Sequence, residues 1–252
     1  MIKNILLPMD GSDFSKTAID YGIYIAKKFN AHLTGLHVMD VRLMQVSTLN
    51  DVSETGVQSI NNPLLPTIEQ GLNEKADSIL EDFQDICRAA HIQVRVQKSL
   101  GIVSDTVIEE GGQADCILLA QRGEHFRIGS GGILGSTVES VVRKANKPVL
   151  VTPSGFQEIE SMGLAYDGSP PAEKALKLAV EISEQAAWPL SIIIITNDQH
   201  LSADLTARVE AYITAFEKED ERKIDSDVII LSGKEDREIL RFILDGSVEL
   251  MV

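Results

Sequence analysis

Residues 4–40 read NILLPMDGSDFSKTAIDYGIYIAKKFNAHLTGLHVMD, and residues 161–197 read SMGLAYDGSPPAEKALKLAVEISEQAAWPLSIIIITN. The two segments align without a gap. Asp10-Gly11-Ser12 falls on Asp167-Gly168-Ser169, Ala18 on Ala175, Ile25 on Ile182, Leu33 on Leu190 and Val38 on Ile195. A three-residue match alone proves little. The same triplet placed after a short apolar strand, and followed by matching helix and strand positions, marks an internal duplication.

Reading outward from the first copy, strands and helices alternate. Ile5-Leu6-Leu7 is strand one and Ser12 a candidate N-cap; Phe14, Ala18, Tyr21, Gly22, Ile25 and Ala26 then recur at helical spacing. His32 to Met39 is a near-continuous apolar run, as expected of a strand covered on both faces. Residues 41–66 are rich in Ser, Thr, Asn and Pro and read as a loop. Leu72, Ala76, Ile79, Leu80, Phe83, Ile86, Cys87 and Ala90 form one stripe of a second helix. Strand three is expected at Ile92 to Val96, a short helix at Thr106 to Glu110, strand four at Cys116 to Ala120, a helix from about Ser136, and strand five at Pro148 to Thr152. This alternation predicts an α/β protein of two tandem doubly wound parallel-sheet domains, over residues 1–154 and 160–252. In such sheets a ligand binds beyond the carboxyl ends of the strands where strand order reverses. That rule nominates the segments after strands one and four.

In the second copy Val228 to Leu231 matches strand three, Gly233 matches Gly101, and Val248 to Val252 begins strand four. The second domain is therefore expected to be incomplete at its C-terminus. Either a tail follows, the favoured reading, or another chain completes it.

Composition bounds the function. With 252 residues, 44% hydrophobic and 24% charged, the chain has the make-up of an ordinary globular protein. A net charge of −15 repels nucleic acid, and no run of Lys or Arg offsets it. No apolar run has membrane-spanning length, and Ile5 to Met9 is too short for a signal-peptide core. Cys87 and Cys116 lack disulfide or metal-site spacing and read as small core residues. The cytosol is the expected compartment.

The chemistry concentrates in residues 115–139, DCILLAQRGEHFRIGSGGILGSTVE. Gly129, Gly131 and Gly132 permit backbone paths closed to other residues, and Gly135-Ser136 opens a helix. Ser136 and Glu139 have the spacing of a capping box. The amides of a helix N-terminus favour an anion such as phosphate. Each such contribution is only about 0.3–1 kcal/mol when exposed, so several amides must act together. Arg122, His125 and Arg127 add positive charge to the same loop. The histidines form no H-x-x-x-H pair, so no dedicated metal site is indicated.

In these features the chain resembles a tandem member of the universal stress protein family, within the adenine-nucleotide α-hydrolase-like group of folds. The resemblance rests on Pro8-Met9-Asp10-Gly11-Ser12, the Ala114-Asp115 pair, Gly135-Ser136 and Lys147-Pro148-Val149-Leu150-Val151, in that order along the chain. It implies that Pro8, Met9 and Asp10 meet the adenosine end of ATP or AMP, and that Val38 presents its backbone to the adenine. It also implies that Leu119, Ala120, Gly123, Gly135, Ser136, Thr137 and Val138 wrap ribose and phosphates, with Mg or Mn accompanying a triphosphate.

The loop of ATP-binding members reads Gly, two residues, Gly, nine residues, Gly-Ser/Thr. Here Ala120 stands at the first glycine, and eleven residues separate Gly123 from Gly135. Ala120 blocks only conformations of positive φ. The resemblance further implies a homodimer through the edge strand at residues 148–152.

Two other function classes compete with nucleotide-dependent signalling. One is an interaction module of the same fold that binds no nucleotide; Ala120 and the longer loop favour it. The other is an enzyme. Against this, Gly233-Lys234 is followed by Glu235, so no Walker A loop exists, and strand one lacks both the Rossmann glycines and a Ser-Gly-Gly-x-Asp-Ser pyrophosphatase motif. No enzyme is expected, slow ATP hydrolysis aside.

Overall fold

A computed structural model of the chain describes residues 1–43, 65–123, 134–220 and 223–252. It divides into two compact units, Ile2–Phe156 and Gln157–Val252, the latter together with Met1.

The first unit runs β1 (Asn4–Pro8), α1 (Asp13–Phe29), β2 (His32–Asp40), α2 (Leu65–Ala89), β3 (Val94–Gly101), α3 (Val103–Gly111), β4 (Cys116–Ala120), α4 (Ser136–Lys144) and β5 (Val149–Thr152). Its strands are all parallel, in the order β3-β2-β1-β4-β5. Successive side chains of each strand face opposite layers. Leu6, Leu36, Ile117 and Leu119 join Val107, Val138 and Val141 beneath α3 and α4. Leu7, Leu33 and Leu118 lie on the other face, where they close around Gly22 of α1. Both layers bury apolar strand residues, which explains the unbroken apolar runs in the sequence.

Several boundaries move. β3 lies at Val94–Gly101 rather than 92–96, α3 is longer than 106–110, and residues 41–43 are helical. The expected loop at 41–66 otherwise falls outside the described residues up to residue 64. On α2, Ala76, Leu80, Phe83 and Cys87 are buried as the stripe requires, but Ile86 is exposed. Both cysteines are buried, and desolvation pushes each thiol up to about 11.

The second unit comprises β6 (Met162–Ala165), α5 (Pro170–Ala186), β7 (Leu190–Ile195), α6 (Gln199–Asp220), β8 (Ser226–Leu231), α7 (Glu235–Leu244) and β9 (Leu250–Met251). Its parallel strands stand in the order β8-β7-β6-β9, matching β3-β2-β1-β4. Strand four of this unit starts later than Val248. α7 buries none of its residues, whereas its counterpart α3 buries Val107.

The duplication extends to cap geometry. Ser12 and Ser169 both cap their helices by accepting the N–H three residues on, from Ser15 at 3.2 Å and Ala172 at 3.4 Å. Gly11 and Gly168 both take positive φ, +83° and +76°. The helices end in left-handed residues, Asn30 and Ala187; the alanine tolerates that conformation at a cost of about 1 kcal/mol.

A second repeated device escapes the sequence register. Asp115, just before β4, accepts the backbone N–H groups of Lys3 and Asn4, both at 2.9 Å. Glu249, just before β9, accepts those of Ser161 at 2.9 Å and Glu160 at 3.3 Å, with the Ser161 hydroxyl at 2.8 Å. Each carboxylate thus ties strand four to the start of strand one.

The Lys3 amide, with Asn4 behind it, holds the Asp115 carboxyl below its ordinary range against a desolvation that raises it. A depressed folded-state pKa gives stability that is full above the ordinary carboxylate range and fades as pH falls through the folded value. Asp115→Ala should therefore destabilise the first unit by about 1 kcal/mol at pH 7, a modest value because the carboxylate keeps solvent contact. In urea melts recorded down the pH scale, the gap between wild type and variant should narrow only below about pH 4.

Candidate functional site

β1 and β4 are neighbours at the centre of the first sheet, and the chain departs from them toward opposite edges. Beyond their carboxyl ends, where strand order reverses, lies a cavity of about 660 Å³. From β1 it is lined by Pro8, Met9 and Asp10, from β2 by Val38, and from β4 by Leu119, Ala120 and Gly123. From α4 come Gly135, Ser136, Thr137 and Val138. The residues that the resemblance nominated for adenosine, ribose and phosphates thus meet at one cavity.

Asp10 organises the turn after β1. Its Oδ1 accepts the Ser12 N–H at 3.0 Å and the Ser15 hydroxyl at 2.6 Å, while its own N–H donates to Ser15 Oγ at 3.1 Å. The turn thereby fixes the carboxylate at the cavity edge. Its Oδ2 lies so close to Gly123 that a Cβ there would sit 2.7 Å away. Close approach between turn and loop is the physical reason for the glycine at 123.

Ala120 pairs with Thr152 of β5 and has no positive φ, so alanine replaces the first loop glycine without strain. Gly135 closes the base of the loop, its N–H donating to the Gln121 carbonyl at 2.9 Å. The expected capping box is not formed. Gly135 itself is the N-cap of α4 with no side-chain cap, Ser136 is the first helical residue, and the Glu139 N–H donates to the Gly135 carbonyl at 3.0 Å. Because the helix starts one residue earlier than the box requires, Ser136 is already helical and cannot serve as its cap. Ser136 and Glu139 both line the cavity instead. Gly129, Gly131, Gly132, His125 and Arg127 lie outside the described residues.

Val38 is poised by its place in the ladder. The β1–β2 register stops at Pro8↔Leu36, and the Met9 N–H donates to the Leu36 carbonyl at 2.8 Å. Backbone polar groups alternate sides along a strand, so those of Val38 point to the same side as those of Leu36. There β1 has already ended, and the cavity begins.

Sequence reasoning passed over several lining residues. His37 is buried and bonds Met9 through Nδ1 at 2.8 Å. Asp40 grips Arg42 through both carboxylate oxygens, and Asp40, first by hydrogen bond and then by charge, raises the Arg42 guanidinium further. Lys75 reaches the cavity from α2. Arg122, which the sequence had singled out, also lines the cavity and stands 6.0 Å above the Phe14 ring. His37 carried a signal, a polar residue in an apolar strand; Asp40, Arg42 and Lys75 carried none, since surface charges are common. Among the described residues no three His, Cys, Asp or Glu side chains gather as metal ligands.

The second unit repeats the turn but not its surroundings. Asp167 Oδ1 accepts the Ser169 N–H at 2.9 Å. Tyr166, at the position of Met9, donates its hydroxyl to Glu173 at 2.7 Å, and Arg208 binds Glu173 at 2.6 Å and the Gly168 carbonyl at 3.4 Å. Burial, then Glu173, pushes the Tyr166 phenol up to about 12.

The contact between turn and loop can be tested by a double-mutant cycle. Gly123→Ala should cost about 1–2 kcal/mol by crowding the Asp10 carboxylate. In an Asp10→Ala background the same change should cost clearly less, and urea denaturation of the four proteins would give the coupling energy.

Comparison with known proteins completes the picture. The profile of the universal stress protein family matches residues 1–153. The chain is 31% identical to universal stress protein Slr1230 of Synechocystis sp. over 263 aligned positions, covering all of this chain and 88% of that relative. It is 28% identical over 155 residues to universal stress protein MJ0531 of Methanocaldococcus jannaschii, covering 60% of this chain and 82% of that one. Among solved structures, a universal stress protein from Archaeoglobus fulgidus superposes with a TM-score of 0.74 at 21% identity, over 98% of this chain and 85% of its own. A putative universal stress protein from Pseudomonas aeruginosa superposes with a TM-score of 0.59 at 17% identity, over 99% and 81%. At such identities the superpositions speak for the fold. The family match and the full-length relative go further: this chain belongs to the universal stress protein family.

Proposed function

We propose that the first unit binds an adenine nucleotide, ATP or AMP, and that the protein acts in stress response or signalling through nucleotide-dependent conformation or oligomerisation. The observation that carries this reading is the convergence at the strand-order switch. Val38, the Asp10 turn and the N-terminus of α4 line one cavity.

The chemistry of each part suits a nucleotide. A backbone N–H and C=O side by side match the acceptor and donor edge of adenine without needing a particular side chain. Asp10, held rigidly by Ser12 and Ser15, can accept from ribose hydroxyls. The amides opening α4 favour phosphate. Mg or Mn accompanying a triphosphate would be held chiefly by phosphate oxygens, since the described residues supply no ligand cluster. No residue is assigned a catalytic role, and any hydrolysis of ATP would be slow and incidental.

Nucleotide at a hundred times its Kd should stabilise the first unit by about 2.7 kcal/mol. For a unit of this size that corresponds to a rise in Tm of roughly 5–10 °C. Acid extraction of freshly purified protein should also release adenine nucleotide. No release, and no thermal shift with ATP or AMP, would leave the alternative, an interaction module without nucleotide.

β5 is an edge strand of the first sheet, so its outer backbone groups suit pairing with another chain. We propose a homodimer through residues 148–152. Light scattering after gel filtration should give twice the 27.5 kDa chain mass, and a monomeric mass would count against the pairing.

A further inference from the structure

In a parallel ladder that continued beyond Pro8↔Leu36, the Met9 carbonyl would accept the N–H of Val38. It accepts instead from the side chain of the intervening residue. His37 Nδ1 lies 2.8 Å from Met9 O, and a carbonyl cannot donate, so Nδ1 carries the hydrogen. His37 as a residue is only 7% exposed, and its position between Leu36 and Val38 is set by β2. On the far side β2 stays paired, with His37↔Lys98 and Val38↔Ser99 in register. The strands therefore separate only where β1 and β2 would otherwise zip further.

We infer that His37 is the residue that opens the nucleotide cleft. By taking the Met9 carbonyl, it removes the partner that would claim the Val38 N–H and directs that N–H to the cavity. His37 is thus a positioning residue: it acts through Met9 and Val38. This assignment deepens the nucleotide-binding reading and rests on it for its purpose, but the exchange of hydrogen-bond partners stands on the geometry alone.

The substitution His37→Leu removes the donor at similar bulk. The Met9 carbonyl then recaptures the Val38 N–H, and the cleft closes at its base-reading edge. His37→Asn keeps a donor near the position of Nδ1. Amide hydrogen exchange by NMR, without nucleotide, should show Val38 exchanging far faster than Leu36 in the wild type. In His37→Leu the Val38 amide should slow at least tenfold, while the Kd for ATP, by calorimetry, rises at least tenfold. His37→Asn should keep both values within a few-fold of wild type.

Unchanged Val38 exchange in a folded His37→Leu protein would overturn the inference. So would equal loss of ATP affinity in both variants, which would mark His37 as packing only. If the wild type binds no adenine nucleotide, the functional reading fails by itself, and the exchange rates still decide the role of His37. Should His37→Leu not fold, a wild-type imidazole without a hydrogen on Nδ1, read from its nitrogen shifts, would equally overturn it.

Discussion

Parallel strands need crossovers, and a sheet built outward from a central strand in both directions must leave a gap where the two directions part. In this protein β1 is that central strand. The chain leaves it through α1 toward β2 and β3, then returns through α3 to β4 and proceeds to β5. Helices α1 and α2 cover one face and α3 and α4 the other, so neither face helps to fill the space beyond the ends of β1 and β4. Every feature of the site follows from that constraint. The turn at Asp10, the ladder end at Val38 and the N-cap of α4 face one another because three strand ends and a helix start converge there.

Within that gap, hydrogen bonds decide what the walls offer. Asp10 spends Oδ1 on the turn and so holds its carboxylate in a fixed place. His37 takes the Met9 carbonyl, and the adjacent strand ends diverge. Gly123 allows the loop to approach Asp10 as no larger residue could. These are short-range arrangements, each involving a few atoms. They persist because the sheet beneath is buried on both faces and does not yield. The second unit shares the sheet order and the Asp-Gly-Ser turn, yet Tyr166, Glu173 and Arg208 join above that turn. A common framework has accordingly been given two different local chemistries. At the position of Glu173 the first unit has Lys16, which pairs outward with Asp13 at the surface.

The sequence by itself determined the class of fold, the duplication and the neighbourhood of the site. Buried parallel strands must be apolar runs, turns with positive φ call for glycine, and helix starts call for residues such as Ser12 and Ser169; all three leave local marks in composition. A gapless register then fixed the second unit from the first. The residues at the strand ends were legible for the same reason, since a strand-order switch follows from the alternation of elements. Membership of the family was legible too, through motifs whose order along the chain carries more information than any one of them.

Tertiary structure decided the rest. The capping box at Ser136 and Glu139 was a local pattern, and it gave way because the α4 backbone begins at Gly135. The link from Asp115 to Lys3 and Asn4, and its echo at Glu249, spans more than a hundred residues in one unit, so no spacing rule could announce it. Lys75 and Arg42 reach the cavity only because α2 packs on β2 and β3 and because Asp40 holds a guanidinium at the end of its strand. His37 differs from all of these. Its unusual place in an apolar strand was visible, but a sequence cannot say which carbonyl a buried imidazole will take. That depended on where β1 stops relative to β2, a matter of register between strands and therefore of the folded sheet alone.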